Sequence, residues 1–269
     1  WDWGPSALMF ALTELYRVTG DDRFRTYYSA WLNHHVAEGF DIVWSDDCPG
    51  ALTAISLLTE TQSDEHQKVV DDVLYYLDEV APRTADGGIS HNGLLGNTPS
   101  IWVDSLFMFG MVLTRWGELS EDPAPLNMLA EQLDIFQYHL QHDNGLMQHA
   151  DENMRPPPDT DIYWNRGNSW VVASVSDHLR VRLLRGETDP EVETMFRNHV
   201  RAVVALQDAT TGLWWSIMNR PGEIYLETCG SAMFAYGIAR AFRYGILGEQ
   251  ELAAARRAVE GVKDRIELD

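Results

Sequence analysis

A pair of apolar segments with helical spacing, repeated along the chain, constrains the fold of this sequence more than any other feature. In the first pair, apolar residues recur at helical intervals from Pro5, and a turn at residues 19–22 precedes a second helix over residues 24–36. Four further pairs have the same form: residues 49–61 and 64–80, 103–119 and 126–141, 168–185 and 191–206, and 231–244 and 249–266. Repetition of a helical hairpin at intervals of about 40 to 65 residues predicts stacked hairpins, either open or closed into a toroid.

The two helices of each pair differ in composition. The second helices carry more charge, which is typical of an outer ring that faces water. The first helices open with small residues that allow close packing on an inner ring: Gly4-Pro5-Ser6-Ala7, Pro49-Gly50-Ala51, Gly167-Asn168-Ser169 and Gly230-Ser231-Ala232.

The connectors between pairs contain a second repeat, in which a polar-glycine turn precedes an apolar residue and then a histidine or an aromatic residue. It occurs at residues 86–91, 143–149 and 210–215, and is typical of short β-hairpin loops. In a closed ring these loops would lie on one rim, with the proline-rich stretch 154–163 as a wall of the cleft. The expected fold is therefore all-α, an (α/α)6-type toroid with about five hairpins visible and β-hairpin loops on the active-site rim.

Size and charge exclude several classes of protein. The 269-residue chain is 45% hydrophobic and contains no segment typical of a linker, so a single domain over residues 1–269 is expected. Its formal charge is −21, and such a surface repels nucleic acid and anionic lipid. No apolar run reaches the roughly 18 residues that span a bilayer, so a soluble protein is expected.

Lysine is almost missing from the sequence, since it occurs only at Lys68 and Lys263. An acid-rich, lysine-poor surface suits a high-salt cytoplasm, where a Debye length of about 3 Å at 1 M screens the repulsion. GC-rich coding would also favour arginine over lysine. A cytoplasmic location is expected.

Cys48 and Cys229 lack the spacing of a disulfide framework or a zinc site, and no cofactor or metal is expected.

Asp104 is the first candidate for chemistry, because it lies between Trp102 and an apolar run that begins a helix. An aspartate there could simply cap the helix. However, Trp102, Phe107 and Met108 predict a poorly solvated pocket, in which a carboxyl group keeps its proton more readily than in water. A carboxyl group of this kind can both donate and accept a proton.

Further aromatic, acidic and basic residues lie in the connectors: Trp44, Asp46, Asp47, His91, Trp102, His149, Trp164, Arg166, Trp170, Trp214 and Trp215. Tryptophan beside carboxylates favours a sugar site, because an apolar ring face stacks on indole while hydroxyls reach polar groups. Trp170 precedes three apolar residues and is better explained as core, and each histidine could instead stabilise a loop. Arg166 stands at a helix entrance, where its guanidinium could fork onto a substrate carboxylate.

Seven motifs follow one another along nearly the whole chain: Trp1-Asp2-Trp3-Gly4, Asp46-Asp47-Cys48-Pro49, Gly87-Gly88-Ile89-Ser90-His91, Trp102-Val103-Asp104-Ser105-Leu106-Phe107-Met108, Gly145-Leu146-Met147-Gln148-His149, Trp164-Asn165-Arg166-Gly167-Asn168-Ser169-Trp170 and Glu227-Thr228-Cys229-Gly230-Ser231-Ala232-Met233-Phe234. Together they resemble the unsaturated rhamnogalacturonyl hydrolases of glycoside hydrolase family 105, which are related to the unsaturated glucuronyl hydrolases of family 88. The family also has a helix before the first motif, and a glycine-rich segment and helix after the last. The resemblance therefore implies a sixth hairpin that is expected to be absent from this chain.

The resemblance also assigns roles. Asp104 falls on the acid/base of the family, and Asp46 falls on its second aspartate, with Asp47 as a shifted alternative. The candidates for holding the substrate are His91, Trp102, His149, Trp164, Arg166, Trp1 and Trp44.

The implied activity is the release of a 4,5-unsaturated uronic acid from the non-reducing end of oligosaccharides that a polysaccharide lyase leaves, of the rhamnogalacturonan type found in pectin. Asp104 would protonate C4 of the C4=C5 vinyl ether, and an ionised Asp46 nearby would help to keep Asp104 protonated. Two alternatives stay open from the sequence. One is an unsaturated glucuronyl hydrolase that acts on glycosaminoglycan fragments, and the other is a sugar-binding toroid without catalysis.

Overall fold

The computed structural model describes residues 1–151 and 161–267. The chain forms two compact units: unit 1 comprises Trp1–Ile101 and Met108–Leu129, and unit 2 comprises Trp102–Phe107 and Ala130–Asp269. Helices make up most of both units, and in the part that the structure describes no helix is long and apolar enough to span a membrane.

Unit 1 is built from paired helices whose starts are encoded locally. The Asp2 side chain accepts a hydrogen bond from the first backbone N–H of α1, and the Asp21 and Ser63 side chains cap α2 and α4 in the same way. Gly20, with φ 67°, ends α1 in the left-handed conformation. The elements are α1 (Trp3–Thr19), α2 (Asp22–Glu38), a 3₁₀ turn (Ser45–Gly50), α3 (Ala51–Leu58), α4 (Asp64–Tyr75) with a π-helical end (Tyr76–Val80), a 3₁₀ turn (Gly93–Leu95) and α6 (Gly110–Ser120).

Unit 2 contains the remaining helices and one small sheet. The elements are α5 (Ser105–Met108), α7 (Ala124–Leu140, of which the first residues belong to unit 1), α8 (Asn165–Leu184), α9 (Pro190–Ala205), β1 (Trp214–Trp215), β2 (Leu226–Glu227), α10 (Thr228–Arg243) and α11 (Glu249–Lys263). Strands β1 and β2 pair antiparallel, with Trp214 opposite Glu227.

Burial confirms the predicted inner position for two of the first helices, α3 and α8, but not for α1, which buries only Ser6, Met9, Phe10 and Thr13. Nearly every residue of α3, and of α8 as far as Val181, is buried, whereas α2 buries only Tyr28 and Leu32. Helix α8 packs against α10, and small residues allow this close approach. A Cβ atom on Gly237 of α10 would lie 2.5 Å from the Val172 carbonyl oxygen of α8.

The five predicted hairpins correspond to observed helix pairs, but the helix predicted over residues 103–119 is wrong in detail. It is divided at Phe109 into α5 and α6. The Leu106 carbonyl, which would accept from residue 110 in a continuous α-helix, accepts a hydrogen bond from the Ser174 hydroxyl of α8. This tertiary contact competes with the helical bond, and local sequence contains no signal for it.

Two of the three predicted β-hairpin loops fold back locally. Arg83 bridges to Ile89 and Gln141 to Met147, and Gly87 and Gly145 have positive φ angles in these turns. The third loop turns back only as far as Leu213, whose carbonyl oxygen accepts from the Asp208 N–H at 2.9 Å, and residues 214–215 then pair with the later strand β2. The proline-rich stretch 154–163, expected as a cleft wall, lies outside the described residues except for its last three positions.

Candidate active site

Asp104 is held in place by pairing between its own segment and the loop of residues 143–149. Trp102 forms an antiparallel bridge with Ala150, and the Val103 N–H donates to the His149 carbonyl oxygen at 2.8 Å. Helix α5 begins at the next residue, Ser105. The backbone contacts therefore bring Asp104 and His149 together although they are far apart in the sequence.

The carboxylate of Asp104 faces an imidazole rather than the helix. His149 Nε2 lies 3.0 Å from Asp104 Oδ2, and the Asp104 side chain is 13% exposed. Among the described residues, Asp104 Oδ2 accepts no hydrogen bond from a backbone N–H of α5, and its contact with His149 is a close ion pair rather than an aligned hydrogen bond. The contacts do not support the helix-cap interpretation of Asp104. A carboxyl group and an imidazole this close form an acid–base pair of the kind that proton transfer requires.

His149 lies between two indoles. Its ring centroid is 5.2 Å from that of Trp102 and 4.8 Å from that of Trp164, with interplanar angles of 66° and 60°. Trp164 immediately precedes α8 and forms a bridge with Ile217. Both tryptophans therefore lie beside the Asp104–His149 pair, where a sugar ring could stack.

Arg166, in the first turn of α8, continues this group. Its guanidinium carbon lies 4.4 Å from the centre of the Trp164 ring, and its Nη1 donates to Glu227 Oε1 at 2.5 Å. Nη1 also lies 3.7 Å from Cys229 Sγ. Burial alone lowers the pKa of Arg166, but the Cys229 thiol and the Glu227 carboxylate outweigh this effect and leave it raised. The guanidinium therefore stays charged.

We call Asp104, His149, Trp102, Trp164 and Arg166 the acid cluster. All five were predicted as site residues, and the structure brings them together in unit 2. Glu227, by contrast, was missed as a functional residue, although a motif that begins with it was recognised. The available signal was an acidic residue placed directly before a helix that opens with small residues.

The other predicted carboxylate lies in unit 1, on the 3₁₀ turn Ser45–Gly50. Asp46 Oδ1 is 3.7 Å from His91 Nε2, and both residues are buried. Trp44 packs edge-on against His91, with ring centroids 5.8 Å apart. The Ser45 N–H donates to the His91 carbonyl oxygen at 3.1 Å, which connects this turn to the loop that carries His91.

The neighbouring Asp47 has a different environment. Its Oδ2 accepts hydrogen bonds from the backbone N–H groups of Val43 at 2.9 Å and Trp44 at 3.3 Å. Burial raises the pKa of Asp47, and these two hydrogen bonds offset only part of that effect. The Asp47 carboxylate thus stabilises its own turn, whereas that of Asp46 faces a histidine.

Trp1 supports the same turn. Its Nε1 donates to the Asp47 carbonyl oxygen at 2.8 Å. Its ring stacks on Phe40 and Trp31, with centroids 3.9 Å and 5.5 Å away. These contacts explain the position of Trp1 by the packing of unit 1, and its expected contact with substrate stays a prediction.

Two other tryptophans from the connectors belong to the core. Trp170 is buried and packs on Phe107 with ring centroids 4.5 Å apart, which confirms its interpretation as core. Trp214, expected on the rim, is fully buried, and its Nε1 donates to the Val203 carbonyl oxygen at 2.7 Å. Its expected place on the rim was wrong, because pairing of β1 with β2 fixes its direction.

A cavity of about 640 Å³ in unit 1 contains none of the predicted site residues. Its lining includes Phe10, Glu14, Ile55 and Arg115 from helices α1, α3 and α6. Over residues 1–151 and 161–267, no group of three or more histidine, cysteine, aspartate or glutamate side chains is placed to hold a metal ion.

The helical hairpins define the α/α-toroid class of fold. The site adds an acid, an imidazole, two indoles and a guanidinium, which together define a carbohydrate-processing hydrolase. The fold class expected from the sequence is confirmed by solved structures. A possible member of the GH105 family from Salmonella enterica serovar Paratyphi A has a TM-score of 0.91 and 25% identity, over 99% of this chain and 71% of that chain. The unsaturated glucuronyl hydrolase of Bacillus sp. GL1, at 18% identity, shares the fold with a TM-score of 0.77, over 98% of this chain and 74% of that chain.

The chain belongs to Glycosyl Hydrolase Family 88, whose model matches residues 1–269. Among characterised proteins it is 24% identical to the unsaturated rhamnogalacturonyl hydrolase YesR of Bacillus subtilis, over 97% of this chain and 76% of that protein. The resemblance drawn from the motifs is therefore confirmed at the level of the family, and the protein is an enzyme of the glycoside hydrolase type.

Proposed function

We propose that this protein releases 4,5-unsaturated uronic acid from the non-reducing end of lyase-generated oligosaccharides. The observation that carries the proposal is the contact between Asp104 and His149, with Trp102 and Trp164 both packed against the imidazole. A binding protein needs indoles for a sugar face, but it does not need a carboxyl group turned away from its helix towards a histidine.

The proposed chemistry is hydration of the C4=C5 vinyl ether. Protonated Asp104 donates its proton to C4, which places positive charge on C5 and the ring oxygen. The resulting carboxylate accepts a proton from the water that adds at C5, so Asp104 regains its proton. The hemiketal then opens and releases the neighbouring sugar. Because no group attacks the anomeric carbon, the separation of two carboxylates does not set the stereochemical outcome, as it does in most glycosidases.

The other residues of the acid cluster have roles that follow from their contacts. His149 orients the Asp104 carboxyl group. Trp102 and Trp164 offer apolar edges and faces to the sugar ring. Arg166 binds the uronate carboxylate through the N–H groups that Glu227 does not occupy.

We propose that Asp46, rather than Asp47, is the second functional aspartate of the chain, and that His91, Trp44 and Trp1 also contact substrate. The supporting observation is that the Asp47 carboxylate accepts backbone hydrogen bonds within its own turn, whereas Asp46 faces His91.

For the leaving sugar we propose rhamnose, in fragments of the rhamnogalacturonan type. Similarity to an unsaturated rhamnogalacturonyl hydrolase over 97% of the chain supports this choice. The glycosaminoglycan alternative is supported by the match to the Family 88 model and by likeness of fold. We also propose a cytoplasmic location, which rests on the acid-rich, lysine-poor composition and is tested by cell fractionation.

The experiment mixes the protein with digests from a rhamnogalacturonan lyase and, separately, from a glycosaminoglycan lyase, and follows the ultraviolet absorbance of the unsaturated uronate. The proposal expects faster loss of absorbance, with release of rhamnose, in the first digest. Faster loss in the second digest would favour the glucuronyl alternative. No loss in either, despite binding of the oligosaccharides, would favour the sugar-binding alternative.

A further inference from the structure

Glu227 is a buried carboxylate that the proposed chemistry does not use. It ends β2 and directly precedes α10, and it is 2% exposed. Burying an ionised carboxylate costs free energy unless hydrogen bonds or an opposite charge compensate it. Its partners therefore indicate why it is tolerated at this position.

Both side-chain partners of Glu227 converge on one oxygen. Arg166 Nη1 donates to Oε1 at 2.5 Å, and Cys229 Sγ lies 3.3 Å from the same atom. In the described part of the chain, the other oxygen, Oε2, is buried and has no hydrogen-bond partner. Arg166 is the charged partner of this buried carboxylate, so the ion pair points to Arg166 as the reason for its position.

Arg166 is constrained from two directions by these contacts. Its guanidinium carbon lies over the Trp164 ring, and Glu227 accepts a hydrogen bond from Nη1. Among the described residues, Nε and Nη2 donate to no protein acceptor, and the Arg166 side chain is 31% exposed. A planar guanidinium that is held at one nitrogen and rests against a ring presents its remaining edge in a restricted direction.

We propose that Glu227 is a positioning residue for substrate binding, which orients Arg166 so that its Nε–Nη2 edge receives the uronate carboxylate. The inference rests on the proposed function. Because Glu227 compensates the charge of Arg166, recognition depends on the geometry of two parallel hydrogen bonds more than on net charge. A substrate without a planar carboxylate then gains little from Arg166.

The first test compares steady-state kinetics of the wild-type protein and E227Q on the best unsaturated substrate. The expected result is a KM raised about tenfold or more, the usual scale for losing one charge-assisted hydrogen bond. The expected kcat stays within about twofold, because the Asp104–His149 contact is unaltered. The matched control is E223Q, since Glu223 lies on the same segment, is exposed and pairs only loosely with Arg220 at 3.7 Å.

A double-mutant cycle separates positioning from a general structural effect. If Glu227 acts through Arg166, adding E227Q to R166Q changes KM by less than about twofold, because the group that it orients is already gone. Equal effects of E227Q in both backgrounds, or a lower kcat with unchanged KM, would overturn the proposal.

A second readout requires no turnover. Phenylglyoxal modifies exposed guanidinium groups, and mass spectrometry measures the labelling rate of Arg166 alone. The expected rate is several-fold higher in E227Q than in the wild type, with no change in E223Q.

If no unsaturated uronate is consumed, the proposed function fails, while the labelling rate of Arg166 still decides whether Glu227 holds Arg166. If E227Q does not fold, E227D keeps the charge with a shorter side chain, and the same increase in labelling is expected. Equal labelling in the folded variant and the wild type would contradict the proposal.

Discussion

At the scale of single residues, Asp104 differs from a capping aspartate in what its carboxylate contacts. Asp122 provides the comparison within the chain, because its Oδ1 accepts a hydrogen bond from the Ala124 N–H at the start of α7. The Asp104 carboxylate instead lies 3.0 Å from a histidine nitrogen. The two aspartates stand in similar sequence positions, directly or almost directly before a helix, and are predicted to respond differently to substitution.

We expect Asp104→Asn to lower kcat by about 10²–10⁴-fold, because the amide keeps the shape of the side chain but cannot transfer a proton. Its melting temperature should stay close to that of the wild type. Asp122→Ala is the control, for which we expect wild-type activity and a loss of about 0.5–2 kcal/mol in unfolding free energy. Retention of more than a tenth of the wild-type rate by Asp104→Asn, measured by loss of ultraviolet absorbance, would remove Asp104 as the acid.

Arg166→Lys tests the recognition of the uronate carboxylate. An ammonium group keeps the charge but offers no planar pair of donors, so KM for the free acid should rise while kcat changes little. We also expect the wild-type protein to bind the methyl ester of the substrate more weakly than the free acid, and the lysine variant to discriminate less between them. Equal binding of ester and acid by the wild type, measured by calorimetry, would exclude this role.

At the scale of elements, buried histidines connect helices of unit 2. His199 of α9 is fully buried, with Nδ1 2.9 Å from the Gly145 carbonyl oxygen and Nε2 3.3 Å from that of Asn168. Burial lowers the pKa of His199 from its ordinary value of 6.5, and the two carbonyl groups offset only part of this effect. Burial also lowers the pKa of His178 in α8.

These lowered values make stability depend on pH. An imidazole with a lowered pKa in the folded state binds fewer protons there than in the unfolded chain. Its contribution is therefore fully present above pH 6.5 and declines as the pH falls through that value towards the lowered one. We expect the unfolding free energy from urea titrations to fall below pH 6.5, and His199→Gln to reduce this slope. Exposed His34→Gln is the control. An identical slope in the wild type and His199→Gln would show that His199 does not contribute.

At the scale of the whole molecule, the formal charge of −21 governs the response to salt. Raising KCl from about 0.1 M to 1 M shortens the Debye length from about 10 Å to 3 Å and screens the repulsion between carboxylates. We therefore expect the melting temperature to rise with KCl. Equimolar potassium acetate is the control for effects specific to chloride. A melting temperature that is flat or falls would leave GC-rich coding as the explanation for the missing lysines.

The sequence by itself determined the helix pairs and their caps, and it named the residues of the acid cluster as candidates. Helical periodicity and capping are local properties, and residues a few positions apart are sufficient to express them. The difference between the buried α8 and the more exposed α2 also followed from composition. The motifs identified Asp104 and Arg166 because each stands at a helix start, two positions beyond a tryptophan.

Tertiary structure alone decided which side chains meet. The pairing of Glu227 with Arg166 joins positions 61 residues apart, and the interruption of the third predicted helix at Phe109 follows from a hydroxyl group on α8. The distinction between Asp46 and Asp47 depends on which carboxylate reaches the backbone N–H groups of its own turn. In each case the deciding interaction is a hydrogen bond of about 3 Å. Whether it forms depends on the path of the folded chain and on the direction of each side chain. Periodicity in the sequence encodes neither of them.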